Sequence, residues 1–209
     1  MTIKVKLLSF YGSDRAIAER AWVSTNKAQD RTDEDVARVL KFIVYNKHTR
    51  PLELAVFSFS IECDIATDRQ ICTHRMVTAS MALSHRYCDA KEKFYTPEGL
   101  EDDAALMYHD ALKAAYKSYN DVRYQLVLDG FAEKRAREIA RNLLPMSLMT
   151  KRELDFNLLS LANFLRLRMD KQHAQLEVQM VASRIYNEVM AIPQLSVITK
   201  ILDESGWNI

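Results

Sequence analysis

The sequence is short of the residues that mark several common protein classes. Its 209 residues include only four glycines and four prolines, which argues against a β-sandwich, a propeller or a glycine-rich phosphate loop. The three cysteines are odd in number and form no CxxC pair. A disulfide framework or structural zinc site is therefore not expected, and a reducing cytoplasm is the expected location.

Long apolar runs and an excess of one charge are also missing. No run approaches the roughly 18 apolar residues of a transmembrane helix, and the N-terminal segment lacks the apolar core of a signal peptide. Lysine and arginine number 29 against 28 acidic residues, giving a net charge of +1. We therefore expect neither a membrane nor a nucleic acid as partner.

What is present fits an ordinary globular chain that forms one domain over residues 1–209. Hydrophobic residues make up 48% and charged residues 27% of the sequence, enough for a sizeable core. Apolar periodicity predicts a helix-dominated α+β fold with one small sheet. The predicted helices cover residues 14–24, capped by Asp14, then 33–46, much of 65–84, 102–129 up to Gly130, 131–143, and 153–191. The predicted strands cover residues 3–8 and 54–63, and residues 88–95 are predicted to be extended.

Several arginines lie within otherwise apolar segments. They are Arg69, Arg75, Arg141, Arg166 and Arg168. A buried guanidinium without partners costs several kcal/mol, so each needs solvent, an acid, a carbonyl network or a bound anion. Two interpretations stay open at this point. Each arginine reaches solvent or pairs with an acid such as Asp68 or Asp170, or the set binds a phosphate-bearing ligand.

Motifs for a metal or for a protein nucleophile are absent. The five histidines form no HExxH motif, and the sequence contains no GxSxG elbow. Cys72 and Cys88 are candidates for reactive thiols, but the default expectation is that they are small buried thiols. No metal site and no covalent intermediate on the protein are predicted.

Three blocks between residues 15 and 191 resemble one known family. Residues 51–59 are similar to a strand that follows a His-x-x-Pro-Phe-Glu-His segment. Residues 69–75, 84–87 and 94–97 are similar to an RHRxxSxNExSxRY signature and a following F-Y-x-P strand. The third block is nearly a full match and joins residues 140–145, Asn157, 163–168 and 173–179. In these blocks the sequence resembles the flavin-dependent thymidylate synthases.

This resemblance implies an α/β fold of the family's own kind, helix-rich with a small central sheet, assembled as a homotetramer. It implies FAD as cofactor, and methylenetetrahydrofolate and NADPH as co-substrates. The implied reaction transfers a one-carbon unit to C5 of a pyrimidine nucleotide such as dUMP, without a protein nucleophile.

The resemblance also implies roles for single residues. Arg168 matches the catalytic arginine at the uracil edge, where a cation stabilises negative charge on the ring. The implied substrate-binding residues are Gln70, Thr73, Ser84, His85, Arg86, Arg141 and Arg168. The implied cofactor-binding residues are Val56, Thr73, His74, Arg75, Asn157 and Asn163.

Departures from the family pattern leave the exact activity open. Thr73 stands where the family has the first arginine of RHR, Leu54 stands where it has a histidine, and the Asn-Glu pair is absent. One extra residue lies between His74 and Arg86, and another between Arg168 and His173. The alternatives are methylation of dUMP or UMP, C5 hydroxymethylation, or non-catalytic binding of a nucleotide or flavin. A plain helical interaction protein would leave the arginines unexplained.

Overall fold

The computed structural model describes residues 2–24, 31–74 and 79–208. It shows a helix-rich α+β fold with one small sheet, as predicted, and the sheet is antiparallel. The strands are β1 Lys4–Tyr11, β2 Val56–Asp64, β3 Ala79–Ala82 and β4 Met149–Asn157, in the order β1-β2-β4-β3. The helices are α1 Asp14–Val23, α2 Asp33–Tyr45, α3 Ile65–Cys72, α4 Asp102–Leu128, α5 Glu133–Ala140, α6 Leu158–Arg168, α7 Leu176–Met190 and α8 Ser196–Glu204. Short 3-10 helices span Arg50–Leu54, Arg141–Leu143 and Pro193–Leu195.

Strand β2 follows the alternation that predicted it. Phe57, Phe59 and Ile61 are fully buried, while the residues between them are only half-buried. The strand begins at Val56 rather than at residue 54, because a 3-10 helix with proline near its start occupies the preceding residues. Gly12 adopts a φ of 114°, and a Cβ there would lie 2.9 Å from Ala55. Only glycine therefore lets the turn after β1 pack against the residue that precedes β2.

The cap of α1 differs from the prediction. Ser13 is the N-cap, with an extended backbone and a hydroxyl that accepts a hydrogen bond from the amide of Ala16. Asp14 already lies inside the helix, so its carboxylate is free to act elsewhere. It accepts 2.9 Å hydrogen bonds from the amides of Val197 and Ile198, at the start of α8. The acid assigned to one helix thus satisfies the N-terminus of another.

Two helix predictions are partly wrong. Helix α3 ends at Cys72, and β3 occupies residues 79–82 of the segment predicted to be largely helical. Strand β4 includes residues 153–157, which we also predicted as helix, and buries Leu154 and Phe156 on alternate positions. Its lysine, arginine, glutamate and leucine favour helices, and cross-strand packing overrides that preference.

The remaining elements agree better with the predictions. Helix α4 ends two residues before Gly130, which takes a φ of 89°. Helix α5 is shorter than predicted, because its last turn tightens into the 3-10 helix that begins at Arg141. The extended segment before residue 96 carries an isolated bridge from Phe94 to Leu148. Cys72 and Cys88 are exposed, so their assignment as buried thiols is wrong, whereas Cys63 is buried.

The chain divides into two compact units, each assembled from three segments. Unit 1 comprises Met1–Ile3, Glu62–Gln70 and Ala82–Arg152, and contains α4 and α5. Unit 2 comprises Lys4–Ile61, Ile71–Met81 and Glu153–Ile209, and contains α1, α2 and α6 to α8. The single-domain organisation stays a prediction. Over the described residues, we find no helix with the length and apolarity to cross a membrane.

Candidate active site

Arg168 lies at the C-terminal end of α6, within unit 2. Its Nη2 donates a 3.0 Å hydrogen bond to the hydroxyl of Thr73. Its Nε is buried and has no hydrogen-bond partner among the described residues. The neighbouring Asp170 does not neutralise it, because that carboxylate lies 2.8 Å from Nδ1 of His173. The guanidinium of Arg168 therefore keeps its charge and several of its donors.

His74 anchors the turn that follows α3. Its Nε2 lies 3.3 Å from the carbonyl oxygen of Ser160, and its ring packs edge-on against Phe164 at 5.3 Å. Burial lowers the pKa of His74, and the guanidinium of Arg168 lowers it further, while the Ser160 carbonyl opposes both. The side chain is therefore a neutral group of the protein interior at neutral pH, and it holds Thr73 in place beside Arg168.

The other predicted flavin contacts of unit 2 lie around α6 and β2. Asn157 caps α6, with its Oδ1 2.8 Å from the amide of Ser160. Asn163 accepts a 2.9 Å hydrogen bond from Arg166 through its Oδ1. Val56 is half-buried at the start of β2. The remaining predicted residue, Arg75, lies outside the described residues.

A cavity of about 1220 Å³ in unit 2 borders Val56. Aromatic rings contribute to its wall, and Phe42 stacks on His48 with centroids 5.3 Å apart and planes 11° apart. Its basic lining residues are Arg20, Lys47, His48 and Arg50, and its acidic lining residue is Glu53. The cavity therefore offers flat apolar faces together with a positive potential.

Sequence reasoning missed most of this cavity. Phe42 lies on α2 outside the apolar stripe of that helix and is exposed, so periodicity gave no reason to select it. His48 was treated as one more isolated histidine. It stands three residues before Pro51, which is the spacing in the His-x-x-Pro-Phe-Glu-His segment, and that signal could have found it.

Unit 1 contains the predicted nucleotide-binding residues His85 and Arg141. Arg141 is exposed at the start of its 3-10 helix, and within the described part of the chain no carboxylate pairs with it. Burial lowers the pKa of His85, the guanidinium of Arg141 lowers it further, and the backbone at Cys88 opposes both. A cation and a neutral imidazole thus lie close enough to interact, which suits the binding of an anion.

Arg86 and Ser84 of unit 1 are engaged with other protein groups. Arg86 is bound to Glu138, with Nε at 2.9 Å and Nη2 at 2.7 Å from the same carboxylate oxygen. Its guanidinium also lies 5.5 Å from the ring centre of Tyr87. Ser84 begins the turn that contains Arg86, and its carbonyl oxygen accepts hydrogen bonds from the amides of Tyr87 and Cys88. Gln70 is exposed near the end of α3.

The two interpretations of the arginines can now be compared. Solvent exposure fits Arg69, Arg141 and Arg166, and Arg75 lies outside the described residues. Asp68 binds Arg152 at 2.5 and 2.8 Å, and Asp170 lies 2.8 Å from His173, so for the arginines of the set that the structure describes neither acid is the partner found. Arg168 is the exception, half-buried beside a hydroxyl. Among the residues with described positions, no group of three His, Cys, Asp or Glu side chains converges as a metal site.

Comparison with solved structures shows which known proteins share the fold. Two solved structures of a UMP/dUMP methylase, PolB from Streptomyces cacaoi, have this fold. The structure bound with 5-Br dUMP has a TM-score of 0.84 at 23% identity and covers 99% of this chain and 97% of that one. The structure bound with 5-Br UMP has a TM-score of 0.80 at 24% identity and covers 99% and 96%.

Sequence comparison gives the family. The family described as thymidylate synthase complementing protein matches residues 6–193. A flavin-dependent thymidylate synthase of Thermus thermophilus is 32% identical over 192 residues, 87% of this chain and 69% of the relative. That of Treponema denticola is 32% identical over 205 residues, 89% and 72% of the two chains. The chain belongs to the flavin-dependent thymidylate synthase family and is an enzyme of that family.

Proposed function

We propose that this enzyme methylates C5 of a pyrimidine nucleotide, dUMP or UMP, with a flavin as cofactor. The names of the relatives support the flavin and the thymidylate chemistry. A protein of the same fold has been solved with brominated analogues of both nucleotides, which supports a substrate with either deoxyribose or ribose. Methylenetetrahydrofolate as one-carbon donor and NADPH as hydride source are part of the proposal.

The observation that carries the proposal is the environment of Arg168. Its guanidinium is held by a neutral hydroxyl, with Nε buried and unsatisfied within the described structure. An unsatisfied buried donor costs about 1–3 kcal/mol, so such a site is expected to have a ligand. A pyrimidine whose ring becomes negative offers carbonyl oxygens that accept these donors. The cation then stabilises the charge and makes C5 more nucleophilic.

The lining of the cavity beside Val56 supports a flavin as its ligand. Its aromatic walls, which include Phe42 and His48, suit a planar ring system, and its arginines and lysine suit a diphosphate. We propose that Val56, Thr73, His74, Arg75, Asn157 and Asn163 contribute to holding FAD. The flavin held by these residues would supply hydride-transfer chemistry, by which reducing equivalents from NADPH would reach the transferred carbon.

We propose that the unit 1 residues bind the nucleotide, with Arg141 and His85 at its phosphate and Gln70, Ser84 and Arg86 as further contacts. In the described structure no carboxylate pairs with Arg141, so the full positive charge of its guanidinium is left to attract a phosphate. Arg86 must share its guanidinium between Glu138 and the ligand. We also propose that four copies of the chain form the functional homotetramer.

The test is an assay of the purified protein loaded with FAD. It should be yellow, and NADPH should bleach the flavin. With methylenetetrahydrofolate, separate incubations with dUMP, UMP and dCMP should yield a nucleotide heavier by one methylene unit from dUMP, UMP or both. A hydroxymethyl product would support the alternative chemistry instead. If bound flavin is reduced yet every nucleotide is unchanged, the chain is a non-catalytic binding member and the proposal is wrong.

A further inference from the structure

We infer that Thr73 is a positioning residue, whose hydroxyl aims the guanidinium of Arg168 at the substrate. This inference rests on the proposed function. It gives Thr73 a role that depends on Arg168, beyond any direct contact with substrate or cofactor. The evidence is the 3.0 Å hydrogen bond from Arg168 Nη2 to Thr73 Oγ1.

The position of the hydroxyl is fixed by its neighbours along the chain. Thr73 follows the last residue of α3, and the next residue, His74, is anchored by Ser160 and by the ring of Phe164. Ser160 and Phe164 lie on α6, the helix that carries Arg168. Both ends of the hydrogen bond are therefore tied to the same helix.

A neutral acceptor suits the proposed role of Arg168 better than either charged alternative. A carboxylate at residue 73 would hold the guanidinium but would offset its charge, leaving less to stabilise an anionic ring. A second arginine there, as in the family signature, would offer no acceptor to Arg168. A hydroxyl at residue 73 accepts from one of the five N–H donors of Arg168 and does not offset the charge of its guanidinium.

The first experiment compares Thr73→Val, which removes the hydroxyl at nearly constant volume, with Thr73→Ser, which keeps it. We expect Thr73→Val to lower kcat about tenfold or more, since hydrogen bonds to charged groups contribute at this level. KM for the nucleotide should change little, and Thr73→Ser should retain most of the rate. In an Arg168→Lys background the added effect of Thr73→Val should largely disappear. An equal loss in the serine and valine variants would overturn the inference.

The second experiment does not depend on turnover. Phenylglyoxal modifies accessible guanidinium groups, and peptide mass spectrometry separates Arg168 from Arg166, which is exposed and bound to Asn163. We expect modification of Arg168 relative to Arg166 to be several-fold faster in Thr73→Val than in wild type or Thr73→Ser. Unchanged relative rates would show that Thr73 does not hold the guanidinium. If the wild-type protein is inactive but the modification rates of Arg168 follow this expectation, the proposed function is refuted while the positioning of the guanidinium by Thr73 is retained.

Discussion

At the residue scale, the partner of each guanidinium decides what it can do. Arg86 and Arg152 are matched to Glu138 and Asp68, and their charge is largely used within the protein. Arg141 is exposed to solvent, and among the described residues the acceptor for the guanidinium of Arg168 is the hydroxyl of Thr73. The last two are therefore the arginines with charge to offer a ligand, and their substitution should affect different kinetic constants.

Arg168→Ala should abolish most turnover while leaving the protein folded and yellow. Removing a group that stabilises charge in the transition state typically lowers kcat about 100-fold or more. Steady-state kinetics of the flavin-loaded variant measures the effect. Arg38→Ala, which removes an exposed arginine paired with Asp35, is the control and should keep wild-type turnover. Retained turnover in the Arg168 variant would contradict its catalytic role.

Arg141→Ala should mainly raise KM for the nucleotide. A phosphate contact acts equally in the ground state and the transition state, so kcat is expected to change little. A charged hydrogen bond contributes about 1.5–3 kcal/mol, which corresponds to roughly a 10-fold to 100-fold rise in KM. Comparing the nucleotide with its nucleoside checks the cause, because only the phosphorylated substrate should lose affinity. An equal loss for both would place Arg141 away from the phosphate.

Acidification should destabilise the protein through His74. Its folded-state pKa lies below the ordinary value of 6.5, mainly because it is buried. Between these two pKa values the unfolded chain binds more protons, so the free energy of unfolding falls as the pH decreases through that window. Urea midpoints at about pH 7.5 and about pH 5.5 measure the loss. His85 adds a loss of the same sign.

Variants at two histidines separate the contribution of His74 from the rest. His74→Phe should show a smaller difference between the two pH values than wild type, whatever its absolute stability. His48→Gln is the matched control, because its side chain is exposed and belongs to no ion pair found among the described residues, and it should leave the difference nearly unchanged. The prediction fails if both variants lose stability on acidification to the same extent as wild type.

The sequence made Arg168 conspicuous but could not identify its partner. An arginine in an apolar helix is visible from residue types alone, whereas Thr73 lies 95 positions away in the chain. Local patterns carry no information about such long-range contacts. The same limit explains why Asp14 was assigned to its own helix, when it binds amides 183 and 184 residues further on.

At the element scale, the ion pair of Asp68 with Arg152 joins α3 to β4 within unit 1. Both carboxylate oxygens are used, and the two side chains are only 11% and 16% exposed. A buried pair of this kind is costly to break, because the remaining charge has no partner. It therefore fixes the helix whose last turn precedes Thr73.

Asp68→Asn should lower the free energy of unfolding by about 3 kcal/mol, since it leaves the guanidinium of Arg152 unmatched in a largely buried site. Chemical denaturation measures the loss. Asp121→Asn is the matched control, because its pair with Lys117 is exposed on α4, with side chains 59% and 76% exposed. That variant should lose about 0.5 kcal/mol or less. Similar losses of unfolding free energy in the two variants would mean that burial does not make the Asp68–Arg152 pair more important for stability than an exposed pair.

An element was predicted well when its local sequence alone determines its secondary structure. Helix α4 has a long continuous pattern and a glycine stop, and strand β2 has strict alternation. Strands β3 and β4 were missed, because their residues favour helix and only pairing with other strands makes them extended. The cavity was missed for a related reason, since three separate segments bring its walls together.

At the scale of the whole molecule, large apolar side chains remain exposed on α4. Leu106, Met107, Tyr124 and Leu128 are 62%, 72%, 67% and 61% exposed. Exposed apolar side chains of this size are typical of surfaces that become covered in an assembly. This observation supports the homotetramer proposed from the family resemblance.

Sedimentation of the wild-type protein should give the mass of four chains. Leu128→Asp should shift the distribution toward smaller species, because a charge is costly in a covered apolar surface. Lys113→Asp, a comparable change at an exposed polar position of the same helix, should leave the mass unchanged. A wild-type protein that sediments as a single chain at every concentration would contradict the proposal.

The division into interleaved units has a consequence for biosynthesis. A ribosome finishes every segment of unit 1 once Arg152 has been added, whereas unit 2 waits for the segment that starts at Glu153. Until then Phe59 lacks Phe156, its ring neighbour at 6.4 Å. Through much of translation, the nascent polypeptide therefore exposes apolar residues of β2 that β4 later packs against. Its yield in cells should respond to the supply of chaperones that shield such strands.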